Sequence, residues 1–67
     1  MQEQGSVKWF SDAKGYGVIL RDKGGEIFVH QPTLLAGGLQ TLQEGQRVQF
    51  AAIRGLKGLQ AEQVQEL

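Results

Sequence analysis

Short runs in which apolar and polar residues alternate, separated by turns that contain glycine, make up most of this chain. Two of the runs, YGVILR at residues 16–21 and EIFVH at residues 26–30, are joined by DKGG, whose adjacent glycines suit a tight hairpin. The nearest approach to a helical i, i+3, i+4 spacing is QTLQEGQRV, which Gly45 interrupts. The pattern therefore predicts an all-β domain rather than a helical bundle.

A longer connection separates the third predicted strand from the fourth, and Pro32 can open a single helical turn within it. The five predicted strands are residues 5–10, 16–21, 26–30, 47–54 and 59–67. This arrangement favours one small domain over residues 1–67, a five-stranded antiparallel OB-fold barrel that starts at about residue 5. An SH3-like barrel has the same composition and stays an alternative at this point.

Alternation along each strand divides the side chains between two faces. Aliphatic residues, above all the β-branched ones, are the better core candidates, and the residues expected to point inward are Val7, Ile19, Ile27, Val29, Val48 and Phe50. The residues left facing solvent are then Tyr16, Val18, Phe28 and His30. Lys8 and Trp9 extend this outer group only if the first strand contains a bulge, because adjacent residues normally point to opposite sides.

The stretch KGYGVIL puts two glycines beside the tyrosine of the second strand. We expect Gly15 and Gly17 on the inward face, where a missing side chain lets a small barrel bend and close. Tyr16 then has little crowding beside it, so that a base can lie flat on its ring. KGYG is not a phosphate-binding loop, because it lacks the G-x-x-x-x-G-K-[ST] spacing and a following helix.

Charge alone does not explain how such a face would bind a partner. Seven Lys and Arg balance seven Asp and Glu in 67 residues, whereas proteins that bind nucleic acid mainly by charge are usually basic. Stacking of bases on exposed rings needs no net charge and contributes about 1–3 kcal/mol per base. Lys8, Lys14 and Lys57 are candidates to meet phosphates. The pattern thus indicates binding of single-stranded nucleic acid.

Several other classes of function find no support in the sequence. A single histidine and the absence of cysteine make a metal site improbable, and no cofactor is expected. No nucleophile–base pair or carboxylate dyad is recognisable, so an enzyme is not expected, nor is a small-molecule substrate. No apolar run is long enough to span a membrane, and MQEQGS is not a signal peptide. We expect a cytoplasmic protein without a membrane partner, and a monomer rather than a strand-swapped dimer.

The same residues resemble the bacterial cold-shock protein family. GSVKWFSDAKGYGVI is similar to the first two strands of that family, KGYGVI to its first ribonucleoprotein-type motif and IFVH to its second. LQEGQRVQF and GLKGLQAEQV resemble its fourth and fifth strands, so the likeness runs from about residue 5 to residue 64. The resemblance implies a five-stranded OB barrel that binds single-stranded RNA and DNA with little sequence specificity and acts as an RNA chaperone. A role in transcription antitermination or in translation in the cold is also implied.

The resemblance also implies which residues bind, and where this chain departs from its relatives. The positions carried over are Lys8, Trp9, Lys14, Tyr16, Phe28, His30, Lys57 and Gln60. The family usually has aromatic residues where this chain has Val18, Gln31 and Leu39, which can still offer apolar contact or a hydrogen bond to a base. Pro32 replaces a small polar residue and Leu59 a proline. The loss of rings predicts weaker binding than is typical of the family.

Less specific interpretations of these residues stay open. Tyr16 and Phe28 can cap a small core, Trp9 can belong to the core, and Lys14 and Lys57 can simply belong to turns. Glu26 can be a hairpin charge, which we prefer, or an acceptor for a base edge. The alternative for the whole protein is a protein-interaction module on the same barrel, with weakened nucleic-acid binding.

Overall fold

The computed structural model describes residues 2–55 and 58–67. Its elements are β1 (Gln2–Ser11), β2 (Tyr16–Arg21), β3 (Glu26–His30), α1 (Gln31–Ala36), β4 (Arg47–Gly55) and β5 (Gly58–Glu66). β2 and β3 have the predicted bounds. β1 begins three residues earlier than predicted because Gln2, Glu3 and Gln4 pair with β4.

The strands form a closed barrel in the order β1-β2-β3-β5-β4, with β4 pairing back onto β1. The predicted all-β, OB-type barrel is confirmed. One contact between neighbours is parallel rather than antiparallel: β3 meets β5 where Phe28 faces Gln60. Closure satisfies the strand edges, which a chain of this size would otherwise expose.

Apolar side chains from every element fill the barrel. All six residues predicted to point inward are buried, which confirms that assignment. The other members of the core cluster are Leu34, Leu42, Ala61 and Val64. Leu34 comes from α1 and is fully buried, so the helix in the long connection covers one end of the core.

α1 is the helical turn that Pro32 predicts. Its proline lies in the first turn, where a missing N–H leaves no hydrogen bond unmade, and Gly37 ends it by donating its N–H to the carbonyl of Leu34. No helix within residues 2–55 and 58–67 has the length and apolar character needed to cross a membrane.

Two bulges interrupt the strand pairing. In β1 the register shifts between Val7 and Trp9, so Lys8 is an extra residue and both Lys8 and Trp9 reach the outside, as predicted. Between β4 and β5 the register shifts again, and Gln63 there has a φ of 53°, the one positive value outside glycine among the described residues.

The two glycines of KGYG have different roles. Gly17 is buried on the inner face, and a Cβ there would collide with the carbonyl oxygen of Trp9 and lie 2.8 Å from the Cα of Phe10. The prediction for Gly17 is confirmed. The prediction for Gly15 is wrong, because this residue lies in the turn before β2 with a φ of 75°, a conformation that favours glycine.

Candidate nucleic-acid interface

Three aromatic rings lie together on the solvent side of β1, β2 and β3. The centroids of the Trp9 and Tyr16 rings are 5.5 Å apart, and those of Tyr16 and Phe28 are 6.4 Å apart. The ring planes meet at 67° and 64°, so these edge-to-face contacts do not bury the rings in a parallel stack. Phe28 is 42% exposed, and the other two rings are half-buried. We call Trp9, Tyr16 and Phe28 the aromatic platform.

Val18 lies at the centre of the aromatic platform but does not face solvent. The strand register puts Trp9 on one side of it and Phe28 on the other, and only 6% of Val18 is exposed. The prediction that Val18 is exposed to solvent is therefore wrong. The residue does lie on the outer face of the barrel, as alternation predicts. The cause is size, since a short side chain between larger ones is covered by them.

His30 and Gln60 border the platform next to β5. His30 pairs with Tyr16 across β2 and β3, and Gln60 pairs with Phe28. Together these four side chains line an open depression of about 280 Å³. It combines two ring faces with an imidazole and an amide, which are groups that can stack on a base or hydrogen-bond to its edge.

Lys8 reaches the outer face through the β1 bulge, and there it meets a carboxylate. Its Nζ lies 2.7 Å from Oε2 of Glu26, and both side chains are about half exposed, at 48% and 52%. Glu26 is thus the partner of a predicted site lysine rather than only a charge near the hairpin. The two residues are 18 positions apart in the chain, and nothing in the local sequence signals the pair.

The two other lysines predicted to meet phosphates are Lys14 and Lys57, and the structure describes only Lys14. Lys14 is exposed in the turn before β2, and its backbone N–H donates to the hydroxyl of Ser11 at 3.2 Å. Lys57 lies outside the described residues. Among residues 2–55 and 58–67, Lys14 and Arg54 have no ion-pair partner, whereas the other described basic side chains do.

Gln31 and Leu39 lie beyond the end of β3. Gln31 begins α1, and its side-chain amide Nε2 donates to the carbonyl of Gln40 at 3.4 Å. Leu39 is half-buried and packs against the core cluster. Gln31 also donates its backbone N–H to the carbonyl of Gly15 at 2.9 Å, in the turn before Tyr16. No described contact joins Gln31 or Leu39 to the three rings.

The structure adds Ile53 to the outer face, a residue that the sequence pattern did not single out. Ile53 is 49% exposed and pairs with Gln60 across β4 and β5, and Gln60 in turn pairs with Phe28. The aromatic platform therefore continues as a row of outward side chains onto β4. An apolar residue at an outward position of a strand can indicate a binding surface. Whether Ile53 lies beside the aromatic platform depends on the order of the strands.

A larger depression lies elsewhere, between α1 and β5, with a volume of about 650 Å³. Glutamine, glutamate and small residues line it, with neither an aromatic nor a basic side chain among the described ones. We place the candidate site on the platform because its chemistry suits a ligand with flat rings. Within the described part of the chain, no group of His, Cys, Asp and Glu side chains could hold a metal ion.

A closed five-stranded barrel that carries aromatic rings on its outer face has the architecture of an OB-type nucleic-acid-binding domain. A family model described as the 'Cold-shock' DNA-binding domain matches residues 3–67. The chain therefore belongs to the cold-shock domain family, which confirms the resemblance seen in the motifs.

Individual relatives agree with this assignment over nearly the whole chain. The major cold shock protein CspA of Pseudomonas aeruginosa is 48% identical over 64 residues, which are 96% of this chain and 93% of that protein. The cold shock-like protein CspA of Stigmatella aurantiaca is 53% identical over 64 residues, 94% of each chain. Neither name describes an enzyme.

A solved structure supports the fold. Drosophila Unr CSD456 matches with a TM-score of 0.78 over 100% of this chain and 27% of that one. The sequences are 22% identical, so this similarity concerns the barrel and not the site.

Proposed function

We propose that this protein binds single-stranded RNA and DNA with low sequence specificity by stacking bases on the aromatic platform. The observation that carries the proposal is the group of three neighbouring rings that are exposed or half-buried on adjacent strands. Every base has a π-face, so rings accept bases of any kind, and a small domain of this type covers about 4–16 nucleotides. His30 and Gln60 border the platform and provide groups that can hydrogen-bond to base edges.

The consequence of such binding is an RNA chaperone activity. A protein that binds only the open strand shifts base-pairing equilibria towards that strand without consuming ATP. We expect this activity in the cytoplasm, where single-stranded transcripts are available, together with an effect on transcription antitermination or translation. Single-stranded RNA and DNA are the proposed partners, and the protein acts as a monomer without a cofactor.

The aromatic platform contains the one tryptophan of the chain, so intrinsic fluorescence reports on the site itself. We expect an oligopyrimidine of about seven nucleotides to quench Trp9 saturably at low salt. Three stacks of about 1–3 kcal/mol each do not simply add, and we expect a dissociation constant on the order of micromolar. Tens of micromolar oligonucleotide is roughly ten times the expected dissociation constant, so quenching that has not saturated at that concentration would contradict the proposal.

Phe28→Ala removes one ring face, so we expect it to weaken binding by about 5- to 150-fold, as a stack of about 1–3 kcal/mol requires. Leu35→Ala is the matched control, since Leu35 is 57% exposed on α1 and lines neither of the depressions that Phe28 borders. We also expect Phe28→Ala to weaken binding more than Lys57→Ala. Equal losses in the Phe28 and Leu35 variants, or a larger loss in the Lys57 variant, would mean that stacking does not dominate.

The second candidate is a protein-interaction module on the same barrel. Two observations favour it: the exposed apolar side chain of Ile53 beside Gln60, and the pairing of Lys8 with Glu26, which neutralises the lysine beside Trp9. Salt dependence separates the candidates, because strand binding weakens with salt and an apolar protein contact does not.

A further inference from the structure

A lysine beside the aromatic platform is already paired within the protein. Lys8 stands in the β1 bulge beside Trp9, and Glu26 opens β3 two residues before Phe28 on the same outer face. Their charged atoms lie 2.7 Å apart. Glu26, Val18 and Phe28 also border a shallow depression of about 180 Å³. A strand that stacks on Phe28 therefore passes beside a carboxylate as well as an ammonium group.

This pair changes what Lys8 can contribute to binding. An unpaired lysine gains a phosphate contact and releases counterions, which strengthens binding and makes it sensitive to salt. A paired lysine must exchange one anion for another, so most of that gain cancels. Exposed ion pairs contribute little, so phosphate can displace the carboxylate, but the displaced charge stays nearby and repels the backbone.

The other described ion pairs do not act on the platform in this way. Arg21 and Lys23 share the carboxylate of Glu3, and Arg47 pairs with Asp22. Arg21 faces Gly5 in the β1–β2 pairing, at the opposite end from Tyr16, which faces Ser11. Glu26 is the one described carboxylate that is paired with a cation next to the rings.

We propose that Glu26 is an internal counter-anion that competes with backbone phosphate for Lys8, and so limits both the affinity and the salt dependence of strand binding. This inference rests on the proposed function and adds a residue that controls it. The lysine beside the rings then adds no net charge to that part of the surface, because the cation on the β1 bulge is balanced by a carboxylate from β3.

Glu26→Gln tests the inference, because it removes the charge and keeps the length of an exposed side chain. At low salt we expect tighter binding of the oligopyrimidine, by up to about fivefold. One extra phosphate contact should steepen the slope of log K against log salt by about 0.7. A fourfold rise in salt should then cost the variant about 2.6-fold more affinity than the wild-type chain.

Glu44→Gln is the matched control, since it makes the same change in net charge at an exposed position in the connection before β4. Adding Lys8→Gln to Glu26→Gln should abolish the gain. The double variant returns to the wild-type net charge, so Glu44→Gln is the variant that tests for a general charge effect. If the wild-type chain binds but Glu26→Gln has the same affinity and salt slope as Glu44→Gln, this inference is overturned and the proposed function stands. Absence of binding by both the wild type and Glu26→Gln overturns the proposed function and this inference with it.

Discussion

Gly17 occupies a position in β2 where a side chain would meet the backbone of β1. The obstacles are the carbonyl oxygen of Trp9 and the Cα of Phe10, which belong to a paired strand and cannot move without breaking the pairing. This close approach holds β1 against β2 directly behind Tyr16. The orientation of one platform ring therefore depends on the absence of a neighbouring side chain.

Gly17→Ala should lower the free energy of unfolding by about 1–3 kcal/mol, the usual cost of forcing an added group into a packed interior. Urea unfolding followed by Trp9 fluorescence measures it. Gly55→Ala is the control, because a Cβ there would meet the side-chain amide of Gln60, which is flexible and can move. We expect it to cost less than about 1 kcal/mol. Equal costs at the two positions would contradict the packing argument.

The difference between Phe28 and Val18 shows what alternation can predict for one residue. Alternation assigns both to the outer face, and the register confirms that they face each other there. Exposure is a further question, because it depends on the size of the neighbours. Val18 is short and lies between Trp9 and Phe28, so it is covered, while the larger Phe28 stays exposed.

At the scale of elements, the two bulges determine which side chains reach the surface. The β1 bulge turns Lys8 and Trp9 to the same side and makes the pair with Glu26 possible. The other bulge lies in β5, where two residues oppose one residue of β4. Gln63 accommodates the extra residue with a φ of 53°. An L-residue in this conformation is strained by about 1–2 kcal/mol.

Gln63→Gly should relieve that strain and raise the free energy of unfolding by about 0.5–1 kcal/mol, after the greater flexibility of glycine in the unfolded chain is subtracted. Gln65→Gly is the control in the same strand, where the backbone has no positive φ. We expect that variant to lose about 0.5–1 kcal/mol. Urea unfolding midpoints compare the two, and destabilisation by both would show that residue 63 carries no strain.

At the scale of the whole molecule, ion pairs at one end of the barrel connect strands that are far apart in the chain. Arg21 donates two hydrogen bonds of 2.9 Å to the carboxylate of Glu3, and Arg47 donates to Asp22 at 2.8 and 2.6 Å. The hydrogen bonds from Arg21 lower the pKa of Glu3 from its ordinary value of 4.5. The hydrogen bonds from Arg47 likewise lower the pKa of Asp22 from 3.8.

Because both pKa values are lower in the folded state, both carboxylates stabilise the fold above their unfolded pKa values and lose that contribution on acidification. We expect the unfolding midpoint to fall as the pH drops below 4.5 and continues through the lowered pKa of Glu3. Glu3→Gln should lower stability at neutral pH and flatten the dependence below it. If stability falls as steeply with acid in this variant as in the wild-type chain, Glu3 is not the source of the acid dependence.

Salt should distinguish the two pairs. The side chain of Glu3 is 9% exposed, whereas that of Asp22 is 50% exposed and therefore more fully screened. The loss of stability on acidification that remains at high salt should then come mainly from Glu3. If Glu3→Gln leaves that residual dependence intact, the attribution is wrong.

The sequence by itself determined the class of fold, six residues of the core and the three rings of the aromatic platform. Alternation separated Ile27 and Val29 from Phe28, adjacent glycines marked the hairpin, and adjacent Lys8 and Trp9 required a bulge. These features are local, because a strand has a period of two and a turn requires particular residues within a few positions. The four motifs identified the family for the same reason, since each is a short stretch of chain.

Only the tertiary structure decided how those residues act together. The burial of Val18, the pair between Lys8 and Glu26, and the row from Phe28 through Gln60 to Ile53 all join residues from different strands. Their positions depend on register, strand order and barrel closure. Closure brings β5 beside β3, with β4 as its other neighbour, and no spacing within a single strand encodes that contact.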